Sequence, residues 1–395
     1  MTFEADIYQA ERLCARIVRT MEGSEIHFDE DFLTQPPSFP GFLSTKLPYQ
    51  STPIVQSGAN LHSFFLNLLP EGVRLQMLMN ASRVAKDDFL GLLLKEGYDT
   101  IGDISVVPHG SAPPRKLKLK QLGESTDFKK DFNEIYTNQN FGTAIAGIQE
   151  KLSSHRVTLP VGSKIWPSAI LKLENSHFPK LSANEHFFMR MAADCGIRAA
   201  QTQLVKDSLG EPGLLVKRFD RFGNGLHQKY HQEDGCQLCG TGPENKYSLS
   251  LRQIIESVSN ISTSPLAASL DVMKLVMFSY MIGNADLHAK NISVLWKDGA
   301  ATLSPAYDLL STLPYKGLDK RMALKMDGKD DRFRLGDFIQ FAKRFGVPEK
   351  AIRFTAGVMF EKSATWIARL DEIGYDEKET ANLQNEIGRR REVFG

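Results

Sequence analysis

Residues 283–308 read GNADLHAKNISVLWKDGAATLSPAYD. Asp286 and Asn291 stand five apart, in a loop that follows the apolar run 272–282 and its terminator Gly283. Ile292 to Trp296 reads as an apolar strand. Lys297-Asp298-Gly299 is a tight turn, because glycine takes positive φ without a Cβ penalty. Ala300 to Ser304 returns as the second strand. Pairing centred near Asp298-Gly299 brings Asn291 and residues 306–308 together at the open end of the hairpin. One amide oxygen (Asn291) and one carboxylate (Asp308) then fall within reach of a common hard cation. A second carboxylate, Asp286, is carried by the preceding loop. Magnesium takes oxygen ligands and keeps several waters, so one or two protein oxygens plus nucleotide phosphates suffice to hold it.

The spacing D-x4-N, a hairpin and a second Asp is the arrangement used for phosphoryl transfer by protein kinases, with Asp286 placed to orient or deprotonate a hydroxyl. There are departures: no H-R-D precedes the loop, and Tyr307-Asp308-Leu309 stands where D-F-G would be. A lone D-x4-N also fits an ordinary loop with capping Asp and Asn. The upstream order adds weight. Lys172 sits inside the apolar strand ILKL (170–173), where burial without a partner is costly; it reads as the nucleotide-phosphate lysine or as an exposed strand face. Gly147 to Lys151 (GIQEK) would be the loop over the phosphates. Lys217-Arg218-Phe219 would connect two lobes and read the adenine edge through backbone groups. Lys290 is positioned to meet the transferred phosphoryl group, and His288 reads as a structural histidine.

Residues 1–110 read as mixed α/β. A helix is expected over 61–74 with Phe64, Phe65, Leu68 and Leu69 on one side, kinked or ended by Pro70. A shorter one spans 87–96, closed by Gly97, and GSAPPR (110–115) reads as a linker. Ser182 and Glu185 have capping-box spacing at the start of a helix that Gly196 stops. Strands at 201–206 and 213–219 form a hairpin. From about Ser248 the chain turns mainly helical, with Ser264-Pro265 as a helix start.

Basic and acidic residues number 48 and 47, leaving a net charge of +1. That argues against a chain that grips nucleic acid by itself. The basic stretch RKLKLK (115–120) reads as a solvated edge. No run approaches the ~18 apolar residues of a membrane span, and no leader is visible. Four scattered cysteines suit a reducing cytoplasm. His227, His231, Cys236 and Cys239 have zinc-ligand types at close spacing, but in reversed order; a polar loop is the simpler reading.

Seven segments together carry a resemblance: FFLNLLPEG (64–72), AIAGIQEKL (144–152), ILKLEN (170–175), NEHF (184–187), LLVKRFDR (214–221), GNADLHAKNISVL (283–295) and SPAYDLLS (304–311). In this order and with these gaps, the chain resembles the HipA family of serine/threonine kinases. The resemblance implies an α+β, two-lobed, protein-kinase-like fold: an extra N-terminal α/β subdomain (1–112), the remainder of the N-lobe with the phosphate loop and nucleotide lysine (113–217), and a mainly helical C-lobe (218–395). It implies ATP held by Ala146, Gly147, Ile148, Gln149, Glu150, Lys151, Lys172, Lys217, Arg218, Phe219, His288, Ala289, Lys290, Asn291, Tyr307 and Asp308. It implies Asp286 as catalytic base, and Asn291 with Asp308 as Mg2+ ligands. Family members are cytoplasmic toxins restrained by a HipB-like helix-turn-helix antitoxin, which contacts operator DNA. Their known substrates are aminoacyl-tRNA synthetases, whose phosphorylation blocks translation. Many carry an autophosphorylated serine two residues before the Ala-Gly of the phosphate loop. Here that position is Ala144, so self-inactivation there is not expected; Thr143 is a substitute acceptor. Two other readings share these residues: a kinase-like co-repressor with weak catalysis, and a kinase for a non-protein acceptor.

Overall fold

The computed structural model describes residues 4–37, 39–58, 61–82, 84–85, 87–113, 119–131, 157–174, 177–222 and 228–395. Period-two alternation near the N-terminus builds an antiparallel sheet: β1 (Glu4–Gln9), β2 (Arg12–Arg19), β3 (Gly23–Phe28), β4 (Ile54–Ser57) and β5 (Ile104–Pro108), in the order β4-β3-β2-β1-β5. Ala5, Ile7, Ala15, Ile17, Ile26 and Val106 are buried on it. They join one core with residues of the helices α1 (Glu30–Thr34), α2 (Ser63–Leu66), α3 (Gly72–Ser82) and α4 (Phe89–Glu96). The single helix expected over 61–74 is therefore two. Pro70 has no N–H to continue the ladder, so α2 stops at Leu66 and α3 restarts at Gly72.

A second sheet runs β6-β7-β8-β10-β9, from β6 (Lys120–Leu122), β7 (Val157–Ser163), β8 (Ala169–Leu173), β9 (Thr202–Lys206) and β10 (Pro212–Lys217). The expected hairpin is β9–β10. The short α5 (Phe128–Asp131) and the long α6 (Leu181–Asp194) belong to this layer. α6 begins one residue before the expected cap: Lys180, in the left-handed region, is the N-cap, and Ser182 lies inside the helix.

The remaining chain is mainly helical: α7 (Gly235–Cys239), α8 (Leu251–Ile261), α9 (Pro265–Ile282), α10 (Leu335–Lys343), α11 (Glu349–Ile367) and α12 (Glu377–Arg391). α9 has Ser264 as N-cap and Pro265 at its first position. By length and composition it could cross a membrane, but 67% of it is buried inside the protein, as expected of a core helix. A three-stranded ribbon lies against these helices: β11 (His231–Asp234), β12 (Ser293–Lys297) and β13 (Ala300–Leu303). The β12–β13 turn has φ 51° at Asp298 and 77° at Gly299, the pair of positive angles that a two-residue hairpin requires. β11 had no signal in the sequence. It occupies part of the stretch read as a polar loop with zinc-ligand residue types, and Cys236 is buried in α7. His227 lies outside the described residues, among which no group of three metal-ligating side chains occurs.

Buried side chains tie the N-terminal domain to the ribbon. His231 Nδ1 lies 2.7 Å from Asp103 Oδ1, and its Nε2 lies 3.2 Å from Glu233 Oε1. Glu233 also accepts from Thr45 N at 2.8 Å and Thr45 Oγ1 at 2.9 Å. Burial pushes the imidazole pKa down, but Asp103 and Glu233 more than offset this and raise it to about 10. A folded pKa above the unfolded one contributes stability below pH 6.5 that is lost as pH rises through about 10. The stability advantage of the wild type over His231→Gln is therefore expected to be largest below pH 6.5 and to shrink towards pH 10. Urea unfolding across that window measures it; a pH-independent difference contradicts a charged His231.

Candidate active site

β8 sets the first side chain. Ala169, Leu171 and Leu173 point into the core, so Lys172, next in the alternation, turns to the other face with Ile170 and borders a cleft. Lys172 is only 5% exposed. Its Nζ donates to Glu185 Oε1 at 2.7 Å and to the Asp308 carboxylate. Glu185 stands on α6 and is 0% exposed. The expectation that Glu185 closes a capping box with Ser182 is thus corrected: the carboxylate faces inward and pairs with the strand lysine. Its sequence signal was available. Glu185, Phe188 and Ala192 share one helical face, and both apolar members are buried. An acid on such a face asks for a buried partner.

The hairpin brings its two ends together. Asn291 Nδ2 donates to Asp308 Oδ2 at 3.2 Å, and Asn291 Oδ1 accepts from His288 N at 3.0 Å. Asp308 has φ 57°, in the left-handed region. Tyr307 is half-buried; its hydroxyl donates to Lys290 O at 2.5 Å and lies 2.6 Å from Ser293 Oγ. Asp286 borders the same cleft and accepts from Tyr247 OH at 2.7 Å. Tyr247, a contact that sequence reasoning missed, also meets the His288 ring edge-on at 5.0 Å. Burial, aided by Lys246, holds the His288 pKa well below its ordinary value, so the ring is neutral.

The cleft encloses about 340 Å3 between the second sheet and the helical part. Its lining combines apolar side chains (Ile170, Val216, Phe219, Leu310) with polar and charged ones (Lys172, Asp286, Asn291, Asp308), the mixture that a nucleotide's base and phosphates ask for.

Two expectations change in detail. Arg218 was read as part of a connecting segment facing nucleotide. Its guanidinium instead donates to Asp220 Oδ2 at 2.8 Å, Asp99 Oδ2 at 3.0 Å and Thr100 O at 3.0 Å. The backbone N–H groups of Lys217 and Arg218 are used by Gln201 O and Ser168 O. Lys290 was read as reaching the transferred group. Its ammonium instead contacts Asp234 Oδ2, Asn67 Oδ1 at 3.0 Å and Asn67 O at 3.2 Å. Burial alone would lower its pKa; Asp234 and Glu71 outweigh that and raise it. Ala289, between His288 and Lys290, is buried in the same loop. Thr143, Ala144, Ala146, Gly147, Ile148, Gln149, Glu150 and Lys151 lie outside the described residues.

The donor set suits a hard cation. Asn291 and Asp308 carry amide and carboxylate oxygens that could serve such an ion, both line the cleft, and the Asp308 side chain is 40% exposed. The amide presents nitrogen to Asp308, so bringing Oδ1 to a shared ion takes a rotation about one bond that also gives up the bond from His288 N.

Comparison with known proteins gives this geometry its context. The model of the HipA N-terminal domain matches residues 5–107. That of the HipA-like C-terminal domain matches residues 143–367, more than half of the chain. The chain belongs to the HipA family. The Sinorhizobium fredii protein Y4mE is 30% identical over 353 residues, covering 83% of this chain and 82% of the relative. The serine/threonine-protein kinase toxin HipA of Shewanella oneidensis is 27% identical over 337 residues, covering 79% and 75%. The structure of Shewanella oneidensis HipA with HipB and its operator DNA superposes with a TM-score of 0.76 over 98% of this chain and 96% of that one, at 22% identity. That match establishes the HipA architecture here: a two-lobed, kinase-like α+β fold with an added N-terminal domain.

Proposed function

We propose that this HipA-family chain transfers the γ-phosphoryl group of Mg-ATP to a serine or threonine hydroxyl of a protein, and acts as the toxin of a toxin–antitoxin pair. The observation that carries the proposal is the buried lysine bridge: Lys172 spans Glu185 on α6 and Asp308 beside Asn291. Active kinases require a strand lysine paired with a helix glutamate, and a nearby Asp and Asn for the cation. Asn291 and Asp308 would hold magnesium, which neutralises phosphate charge when bound. Lys172 would steady the phosphate tail, and Ile170, Val216, Phe219 and Leu310 would sandwich the base. The Gly147–Lys151 segment would cover the phosphates. The acceptor oxygen bonds to the γ-phosphorus, the bond to the ADP oxygen breaks, and the hydroxyl proton passes to Asp286.

The toxin role draws support from the Shewanella protein, whose structure contains HipB and operator DNA. A HipB-like antitoxin is the proposed partner, with operator DNA reached through it. The acceptor is expected among translation proteins, aminoacyl-tRNA synthetases first. The test is incubation of the purified chain and cell lysate with γ-labelled ATP. A labelled protein band that needs magnesium and disappears with chelator is the expected result. Nucleotide binding without any labelled protein would favour the co-repressor reading, and label confined to small molecules would favour a non-protein acceptor.

A further inference from the structure

The segment FFLNLLPEG (64–72) plays no part in the chemistry above, yet it reaches the catalytic loop. We infer that Asn67 and Glu71, from the N-terminal domain, are positioning residues that hold the 284–291 loop through Lys290 and Lys246, making this domain part of the catalytic machinery. The inference rests on the kinase reading of the cleft.

The local cause is the break at Pro70. Had the helix continued from α2, Asn67 O would accept the N–H of Glu71. The interruption leaves that carbonyl open, and Lys290 Nζ donates to it at 3.2 Å. The Asn67 side chain is oriented from its other end. Its Nδ2 donates to Ser63 O and Thr241 O, both at 2.8 Å, so Oδ1 is turned to Lys290 at 3.0 Å. Asp234, the N-cap of α7, accepts the third bond from Lys290 while its Oδ1 caps Cys236 N and Gln237 N. An ammonium has three donors, and all three are committed. A phosphoryl oxygen could be met only by breaking one of these bonds, which sets Lys290 apart from a phosphate ligand.

Glu71 reaches the loop by a second route. Its Oε2 pairs with Lys246 Nζ, and the Lys246 carbonyl accepts the N–H of Ala289 at 3.0 Å. Glu71 Oε1 also lies 3.6 Å from Lys290 Nζ. From Lys290 the path to the reacting groups is short. Its carbonyl accepts from the hydroxyl of Tyr307, the neighbour of Asp308, and Asn291 is the next residue. A displaced Lys290 moves both proposed cation ligands, and a 1 Å misplacement costs about 10²-fold in rate.

The test compares Asn67→Leu, Glu71→Gln and Lys290→Met with the wild type in kcat, KM for ATP and hydrogen exchange of residues 284–292. A fall in kcat of about 10–10²-fold at nearly constant KM, with faster exchange in the loop and unchanged exchange in α9, is the expected result for Asn67→Leu and Lys290→Met. Glu71→Gln keeps the shape and should lose less. Unchanged kcat and unchanged loop exchange in the asparagine and lysine variants would overturn the inference. So would a rise in KM for ATP at preserved kcat in Lys290→Met, the signature of a phosphate ligand. If the wild-type chain transfers no phosphoryl group, the kinase reading fails by itself, and the loop exchange alone decides whether Asn67 holds the loop.

Discussion

Asp286→Asn is expected to lower phosphoryl transfer by about 10²–10⁴-fold, the range by which a positioned general base contributes. The reason is local. Asparagine keeps an oxygen for the Tyr247 hydroxyl, which lies 2.7 Å from Asp286 Oδ1, so the loop retains its shape. It cannot take up a proton at neutral pH. The cation ligands and Lys172 are untouched, so nucleotide affinity should stay within a few-fold and thermal stability should not move. Single-turnover transfer from labelled ATP, read beside calorimetric nucleotide binding, separates the two. An unchanged transfer rate would remove Asp286 from the role of base.

Asp220→Ala is expected to be the most damaging change outside the proposed catalytic groups, costing about 3–5 kcal/mol, the usual penalty for breaking a buried ion pair. Asp220 is 3% exposed and stands between two arginines. Arg218 Nη2 donates to its Oδ2 at 2.8 Å, Arg221 Nη1 at 2.6 Å, and Gly102 N adds a third bond at 3.0 Å. Removing the carboxylate leaves Arg218 and Arg221 buried with Asp99 as their shared counter-charge. Gly102 belongs to the same junction: it has φ +80°, and a Cβ there would come within 3.1 Å of Gln232 N. Burial would raise the Asp220 pKa, but Arg218 and Arg221 pull it well below the usual carboxylate range. A depressed folded pKa gives stability above pH 3.8 that is lost as pH falls through the folded value. The gap between wild type and variant should therefore close in acid. Urea unfolding at neutral and low pH measures both points; a loss under ~1 kcal/mol at neutral pH would make the quartet dispensable.

How much of this was legible depended on sequence distance. The hairpin around Asp298-Gly299 was, because its turn, strands and end residues are neighbours in the chain. Its register (Val294 opposite Leu303, Trp296 opposite Ala301) follows from that turn. The hairpin of β9 and β10 was legible for the same reason. Glu185 was misassigned: its apolar helical face was readable, but S-x-x-E also satisfies a local capping rule, and the residue that needs the glutamate, Lys172, lies 13 positions away on a strand. Asp99, which pairs with Arg218, and Asn67, which pairs with Lys290, are 119 and 223 residues distant. No local pattern encodes them. β11 was hidden because His231 and Glu233 are polar yet buried; the Asp103 carboxylate and the donors of Ser44 and Thr45 that satisfy them come from the N-terminal domain.

The backbone at Asp308 narrows what position 308 can be. A φ of 57° disfavours β-branched and bulky side chains, and asparagine and aspartate are the non-glycine residues that enter this region most readily. Glycine would accept the angle but carries no oxygen for an ion or for Lys172. Glutamate carries the oxygen but suits the angle poorly. Conformation and chemistry thus filter the alphabet independently; the filters overlap on aspartate and asparagine, and of these only aspartate brings the negative charge that Lys172 meets.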